Sequence, residues 1–417
     1  MKYLQEKNKM LRSMFTAISA LTLHQSFLDV VSDNLANANT PGFKASRVLF
    51  QDQFAQIMSP GAAPTAATGG INPTQIGLGL QLGYVSPMFT QGMLQATGRN
   101  LDLAIQGDGF FIYNSPNGMR YSREGSLQID ANGYLVNGST GLRIQGWTLP
   151  SGSTGPIDTN TPTGDINIPL NTTLARATTN AIFGGNLDSQ TAVGGTYDVT
   201  VGVYDSLGAP QSLQVRFTRT GSSTWDWNVQ NPAGATGNGT ITFDANGQAD
   251  PSSIFTNAVT IPGTNGAANI TTTLDLRGVT MLSNPNSISA QNQDGLAAGK
   301  VSDIFIAPNS GEVFLLYSNG LKQLAGQVAL AKFANPTGLM REGHNLYQAG
   351  LNSGDPAVGA SSQGGRGALV SGYMEGSNVD MAQEFTNMIL AERGFQASSR
   401  VITTSDEMML ELVNLKR

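Results

Sequence analysis

The chain contains no cysteine, which excludes disulfides, thiolate metal sites and cysteine nucleophiles. It has two histidines, His24 and His344, too few and too distant in sequence for an imidazole-based zinc site. Charged residues make up 12%, against roughly 25% in an ordinary soluble protein. The 23 basic and 29 acidic residues leave a net charge of −6 with no Lys/Arg-rich run, which argues against a nucleic-acid partner. No unbroken apolar run reaches the roughly 18 residues that mark a membrane-spanning helix. The patterns G-x-S-x-G, P-loop and H-E-x-x-H are also missing. The expectation is a non-enzymatic chain with no cofactor, no metal and no small-molecule substrate.

What replaces charge is glycine, 50 residues of it, together with Thr, Ser and Asn. Such a composition suits β-sheet with many tight turns and a neutral polar surface. The 417 residues are enough for roughly two to four domains.

The two ends of the chain share a different pattern. Leu11, Met14, Ile18, Leu21, Leu28 and Leu35 recur at spacings of three and four, broken only by Gln25 and Ser32. Met381, Phe385, Met388, Phe395, Ile402, Met409 and Val413 repeat it, with gaps at Glu392, Ser399 and Asp406. A 3.5-residue period makes a narrow apolar stripe, the seam of a coiled coil, which one helix cannot bury alone. These thirteen apolar residues are the predicted self-assembly seam. Helix one is expected over about 11–38, ended by Asn39-Thr-Pro-Gly42. Ser377 and Asn378 are candidate N-caps of the last helix. Lys2, Lys7, Lys9 and Arg12 before an apolar stretch resemble a signal peptide, yet the heptad continues to Leu35 without a clean cleavage site. The segment is therefore expected to stay uncleaved, with 1–9 an extension ahead of a second start at Met10.

Between the ends the period becomes two. Leu101, Leu103 and Ile105 alternate, and Asn132-Gly133 marks a hairpin. Val199, Val201 and Val203, then Leu213, Val215 and Phe217, alternate on either side of Asp205-Ser-Leu-Gly-Ala-Pro210. The predicted fold is mainly β with paired α-helical coiled-coil termini and two nested antiparallel β domains. The expected layout is a helical core domain from 10–58 and 373–417, and a flexible linker over 59–75. An inner β domain comes from 76–150 and 291–372, with an outer β domain, 151–290, inserted in it.

Three groups of residues imitate chemistry. Gly77-Leu-Gly79-Leu-Gln-Leu-Gly83 is one residue too long for a dinucleotide fingerprint and leads into a strand. Asp130-Ala-Asn-Gly133 and Asp244-Ala-Asn-Gly247 lack the remaining ligands of a calcium loop and read as hairpin turns. Asp102, Asp108 and Glu124 contain enough carboxylates for glycoside hydrolysis, which makes a secreted carbohydrate-active β protein the rival of another class.

The exit of helix one, Asn34, Leu35, Ala36, Asn37, Ala38, Asn39, Thr40, Pro41, Gly42, Phe43 and Lys44, resembles the N-terminal signature of the flagellar rod and hook family, the axial proteins of bacterial flagella. A second match contains Leu101, Asp102, Leu103, Gly107, Asp108, Gly109, Phe110 and Phe111. A third runs from Tyr121 to Asn137, and a fourth from Gly376 to Thr404. Val203-Tyr-Asp-Ser-Leu-Gly-Ala-Pro210 is similar to the middle domain of hook-type members. The Pro/Gly tract at 59–75 keeps a distal rod subunit as the alternative within the family. The resemblance implies a subunit exported by the flagellar type III apparatus without a cleaved signal. It also implies assembly outside the cell into a curved hollow helical tube, the universal joint between rod and filament. The implied partners are further copies of itself, the distal rod, the hook cap and the hook–filament junction proteins.

Overall fold

Residues 2–36 contain neither proline nor glycine, so nothing interrupts α1 (Lys2–Ala36). The computed structural model describes residues 2–65, 68–150, 153, 155–253 and 258–414. Side chains are described from Arg12 onward and without that of Leu412, so the expectation for Leu11 lies outside the described residues. By length and composition Arg12–Ala36 is apolar enough to cross a membrane. The criterion of an unbroken run passes over it because Ser13, Thr16, Ser19 and Thr22 interrupt the stretch. The second long helix, α2 (Met381–Asn414), packs along α1. Asp380 is its N-cap, with Oδ1 accepting the amides of Ala382 at 2.9 Å and Gln383 at 3.2 Å. Neither Ser377 nor Asn378 fills that role, because the cap sits immediately before the helix and Asn378 bonds elsewhere.

The chain divides into two compact units. The first comprises Met1–Ile168, Ile306–Val313 and Ala325–Arg417. In it the strand Ser46–Asp52 pairs antiparallel with Leu80–Pro87. The stretch 59–75, expected to be an irregular linker, starts and ends in a strand pair and is otherwise mostly irregular among the described residues. Ala55–Ser59 pairs with Thr74–Gly77, and Ala62 bridges Ile71. Phe110–Ser115 lies between Gly118–Ser122 and Arg143–Thr148, and Leu330–Lys332 also pairs with it. Its core gathers Phe110, Ile112, Tyr121, Trp147, Phe333 and Tyr347. Two short pairings join the arms of the chain ahead of α2. Leu103–Gln106 pairs with Ala368–Ser371, and Leu94–Ala96 with Tyr373–Glu375.

The second unit comprises Pro169–Phe305 and Phe314–Leu324. One of its sheets is a four-strand antiparallel meander from Thr196–Tyr204 to Asn238–Thr242. The other orders Ala258–Ile261, Ile270–Thr280, Asn180–Asn186 and Ser289–Gln293. Here the expectation of purely antiparallel pairing fails, since Asn180–Asn186 and Ile270–Thr280 run parallel. Alternation had revealed the strands but not which neighbour each one takes. Val201, Val203, Phe217, Trp225 and Trp227 of the first sheet share a core with Phe183, Leu274 and Leu276 of the second. Each strand contributes every second residue, as a half-buried strand must.

Candidate functional site

The helix pair meets through small residues rather than through the apolar stripe. Ser13 Oγ lies 3.4 Å from Ser405 Oγ, and His24 packs on Gly394 so closely that a Cβ there would collide with the imidazole. α1 and α2 are therefore antiparallel. Ala17, Leu23, Val31 and Asn34 on α1 are buried, as are Glu384, Ala391 and Ser405 on α2. All but Leu23 lie one residue before a position of the predicted stripe, a rotation of about 100° around the helix. Small side chains allow this close approach, and the bulky seam is pushed to the flanks.

The predicted seam residues divide accordingly. Met14, Leu21, Leu28, Leu35, Met388, Phe395, Ile402 and Met409 are half-buried. Ile18, Met381, Phe385 and Val413 are exposed, Phe385 to 52%. Phe15, Ile389 and Leu390, absent from the predicted list, are exposed too. Sequence reading followed bulk and missed the small-residue face, although Glu384, Ala391, Ser398 and Ser405 carry the same seven-residue spacing.

The residues of the family-like signature do a different task. They clamp the two arms of the chain together where the helices begin and end. Asn34 donates to Ser46 O and accepts from Ser46 N, both at 2.8 Å, imitating a strand partner. Gly42 has φ +72°, and a Cβ there would come within 2.8 Å of Glu124 N. Its amide donates to Glu375 O at 2.7 Å. Lys44, wholly buried, donates to Glu375 Oε1 at 2.6 Å and Thr90 O at 2.7 Å. Arg123 reaches Glu375 Oε2 at 3.4 Å, and its guanidinium stacks over Phe110. Gly92 N completes the carboxylate's partners at 2.9 Å. Burial pulls the Lys44 ammonium below its ordinary pKa while Glu375 opposes the shift. Asn378 ties Ala45 N, at 2.8 Å, to Met88 O, at 2.7 Å.

The other signature residues support this clamp. Asn37 donates to Asp33 O and accepts from Thr40 Oγ1, while Pro41 O accepts from Asn345. Phe43 is buried beneath the Arg341 guanidinium. Leu35 and Leu101 are half-buried, and Ala36 and Asn39 exposed. Leu103, Phe110 and Phe111 are core residues, and Gly107 and Gly109 take the positive φ angles that flank Asp108.

The carboxylates considered for hydrolysis sit in unlike surroundings. Asp102 is buried, with Oδ1 free of hydrogen bonds but 3.8 Å from the Arg99 guanidinium, Asp108 is exposed and pairs with Lys332, and Glu124 is half-buried. Asp130 and Asp244 each use Oδ1 to accept two amides of their own turn. In each turn this one oxygen therefore serves the backbone of the hairpin, as in an Asx turn.

Comparison with known proteins matches up to 98% of the chain. Residues 14–44 match the flagella basal body rod protein family, and 104–180 match the flagellar hook protein FlgE/F/G D1 domain. Residues 169–296 match the flagellar basal body protein FlaE D2 domain, and 370–415 the flagellar basal body rod FlgEFG protein C-terminal region. The flagellar hook protein FlgE of Borreliella burgdorferi is 35% identical over 98% of this chain and 100% of its own. That of Treponema pallidum is 32% identical over the same shares. The flagellar basal-body rod protein FlgG of Bacillus subtilis is 30% identical over 98% of this chain and 100% of its own.

Proposed function

The chain belongs to the flagellar hook protein FlgE family and is a structural subunit of the flagellar hook, and we propose that its paired terminal helices carry the contacts of the polymer. One observation carries this reading. Pairing within the chain uses the small-residue face and leaves Ile18, Met381, Phe385 and Val413 uncovered. Apolar area left in water is worth roughly 25 cal/mol per Å² once a neighbour covers it. The uncovered stripe is thus the driving force for adding a subunit. A contact between two different faces does not close into a dimer, and its repetition gives an open helix wherever the rotation does not close into a ring.

In this reading the tube is hollow and curved and joins rod to filament. Its subunits leave the cell through the flagellar export apparatus without a cleaved signal and act outside it. They meet the distal rod, the hook cap and the hook–filament junction proteins. The proposed domain plan nests 151–290 inside a β domain built from 76–150 and 291–372, with 10–58 and 373–417 as the helical core. Sparse charge and the Gly-rich tract at 349–367 suit neighbours that slide during bending. The reading assigns no catalysis to Asp102, Asp108 or Glu124.

The test is Phe385→Asp. Since Phe385 is already exposed in the single chain, the charge spares the fold, and the variant is expected to melt as the parent does while forming no tube. Tubes at parental yield overturn the proposal. The similarity to a rod protein supports a second reading as a rod subunit, and electron microscopy of basal bodies from cells lacking the gene separates the two. Complete rods without a hook support the first, and rods that stop inside the envelope support the second.

A further inference from the structure

A groove of about 560 Å³ opens where the helix pair faces the hairpin of Ala55–Ser59 and Thr74–Gly77. Ala17, Ala20, Ala397, Val401, Met58 and Ile76 line it, and Arg12 stands at its wall. One guanidinium nitrogen of Arg12 is buried without a hydrogen-bond partner. A buried N–H without an acceptor costs free energy, more so on a charged group, so the natural occupant is apolar and brings an acceptor, best a carboxylate.

We propose that this groove receives the C-terminal turns of α2 from a second copy of the chain, seating Leu410 among the alanines and bringing Glu407 or Glu411 to Arg12. The inference rests on the polymer reading above and names one of its contacts. After Val401 come three acids, Asp406, Glu407 and Glu411, and beyond them two bases, Lys416 and Arg417. Glu407, Leu410 and Glu411 follow at i, i+3 and i+4 and share one helix face. All three are exposed, Leu410 to 59%. The other exposed apolar pair on α2, Ile389 and Leu390, has Arg393 on its own helix face, at i+4 and i+3, which would bring like charge to Arg12. The chain's own α2 end cannot turn back into the groove. Ala397 and Leu410 lie on one helix, about 20 Å apart at 1.5 Å per residue.

The native chain has no cysteine, so Ala397→Cys with Leu410→Cys gives a clean probe. A disulfide needs Cα atoms about 4.4–6.8 Å apart, and a bond between these two positions must therefore join different copies. In tubes recovered from cells and mildly oxidised, the double variant is expected to give a ladder of covalent oligomers. The 397–410 peptide should be identified by mass spectrometry, with no ladder from either single variant. Filling the groove with Ala397→Trp is expected to raise the critical concentration for polymerisation about tenfold, as should Arg12→Glu. Glu407→Arg together with Glu411→Arg should restore the Arg12→Glu chain. Circular dichroism of the monomers checks that each variant is folded. Tubes that form normally from Ala397→Trp, or that cross-link only 397 to 397 or 410 to 410, overturn the groove assignment and leave the polymer reading standing. Failure of the parent chain to form tubes overturns both.

Discussion

Lys44 Nζ lies 2.6 Å from Glu375 Oε1 although 331 residues separate them, and solvent reaches neither side chain. The pair holds the exit of α1 to the strand that precedes α2. Glu375 also receives Arg123, so one carboxylate compensates two buried cations. Removing one partner of a buried pair costs about 3–5 kcal/mol, because the remaining charge stays uncompensated. Glu375→Ala is expected to destabilise the first unit by that amount. Lys44→Met, Arg123→Met and Glu375→Leu combined should recover most of it. Denaturant unfolding read by Trp147, with Trp225 and Trp227 replaced by Phe, measures the first unit. A loss under about 1 kcal/mol, the scale of a surface pair, would contradict the burial.

Gly394→Ala sets two effects of opposite sign against each other. Alanine favours an isolated helix over glycine by about 1 kcal/mol. Its Cβ would strike the His24 ring and force α1 and α2 apart. The packing term should win, because all three atoms that the Cβ would meet belong to the His24 ring, which must leave its place in the contact to make room. The expected outcome is more helix in the isolated α2 peptide and fewer tubes from the whole chain, with His24→Ala restoring tube formation. Sedimentation of the polymer gives the answer, and unchanged yield from the single variant would refute the close approach.

Much of this architecture is legible in the sequence, and its failures have physical causes. Heptad spacing located both terminal helices, and two-residue alternation located Val199 to Val203 and Leu213 to Phe217, each with alternate residues buried. Periodicity identifies a helix without saying which of two adjacent stripes turns inward. Bulk indicated Ile18 and Phe385, whereas close approach selected Ala17 and Ala391. The clamp was visible as a signature, but the roles of Lys44 and Asn34 depend on Glu375 and Ser46, the first of them hundreds of residues away, and no local pattern reports such a partner. The hairpin at 55–77 was hidden because its strands are exposed on both faces, leaving no alternation to read.

Tyrosine ionisation should reveal the core of the first unit. Burial raises the pKa of Tyr113, Tyr121 and Tyr347, that of Tyr347 from 10.0 to about 12. The folded state then holds its phenolic proton where the unfolded chain has released it. The contribution of Tyr347 is fully present below pH 10 and is lost as pH rises through about 12, up to about 2.7 kcal/mol at 1.36 kcal/mol per pKa unit. Tyrosinate absorbance is expected to show these three lagging the exposed tyrosines. Stability measured between pH 10 and 12 should fall less steeply in Tyr347→Phe. An identical slope in the variant would contradict the assignment.

Asp205 and Asp244 build the same turn at different depths, which separates hydrogen bonding from burial. Asp205 Oδ1 accepts the amides of Leu207 and Ala209, each at 2.9 Å. Asp244 Oδ1 accepts those of Asn246 at 2.9 Å and Gln248 at 2.8 Å. Asp205 is buried and Asp244 exposed. When alanine replaces Asp244, water can take over both amides, and the loss should stay under about 1 kcal/mol. When alanine replaces Asp205, the two amides, whose bonds are part-buried, lose an acceptor that water replaces less readily, and the loss should reach about 1–3 kcal/mol. Asp205→Asn keeps the accepting oxygen and should lie between the two. Trp225 and Trp227 fluorescence in denaturant reports on this unit. Equal losses at Asp205 and Asp244 would show that water reaches both turns alike.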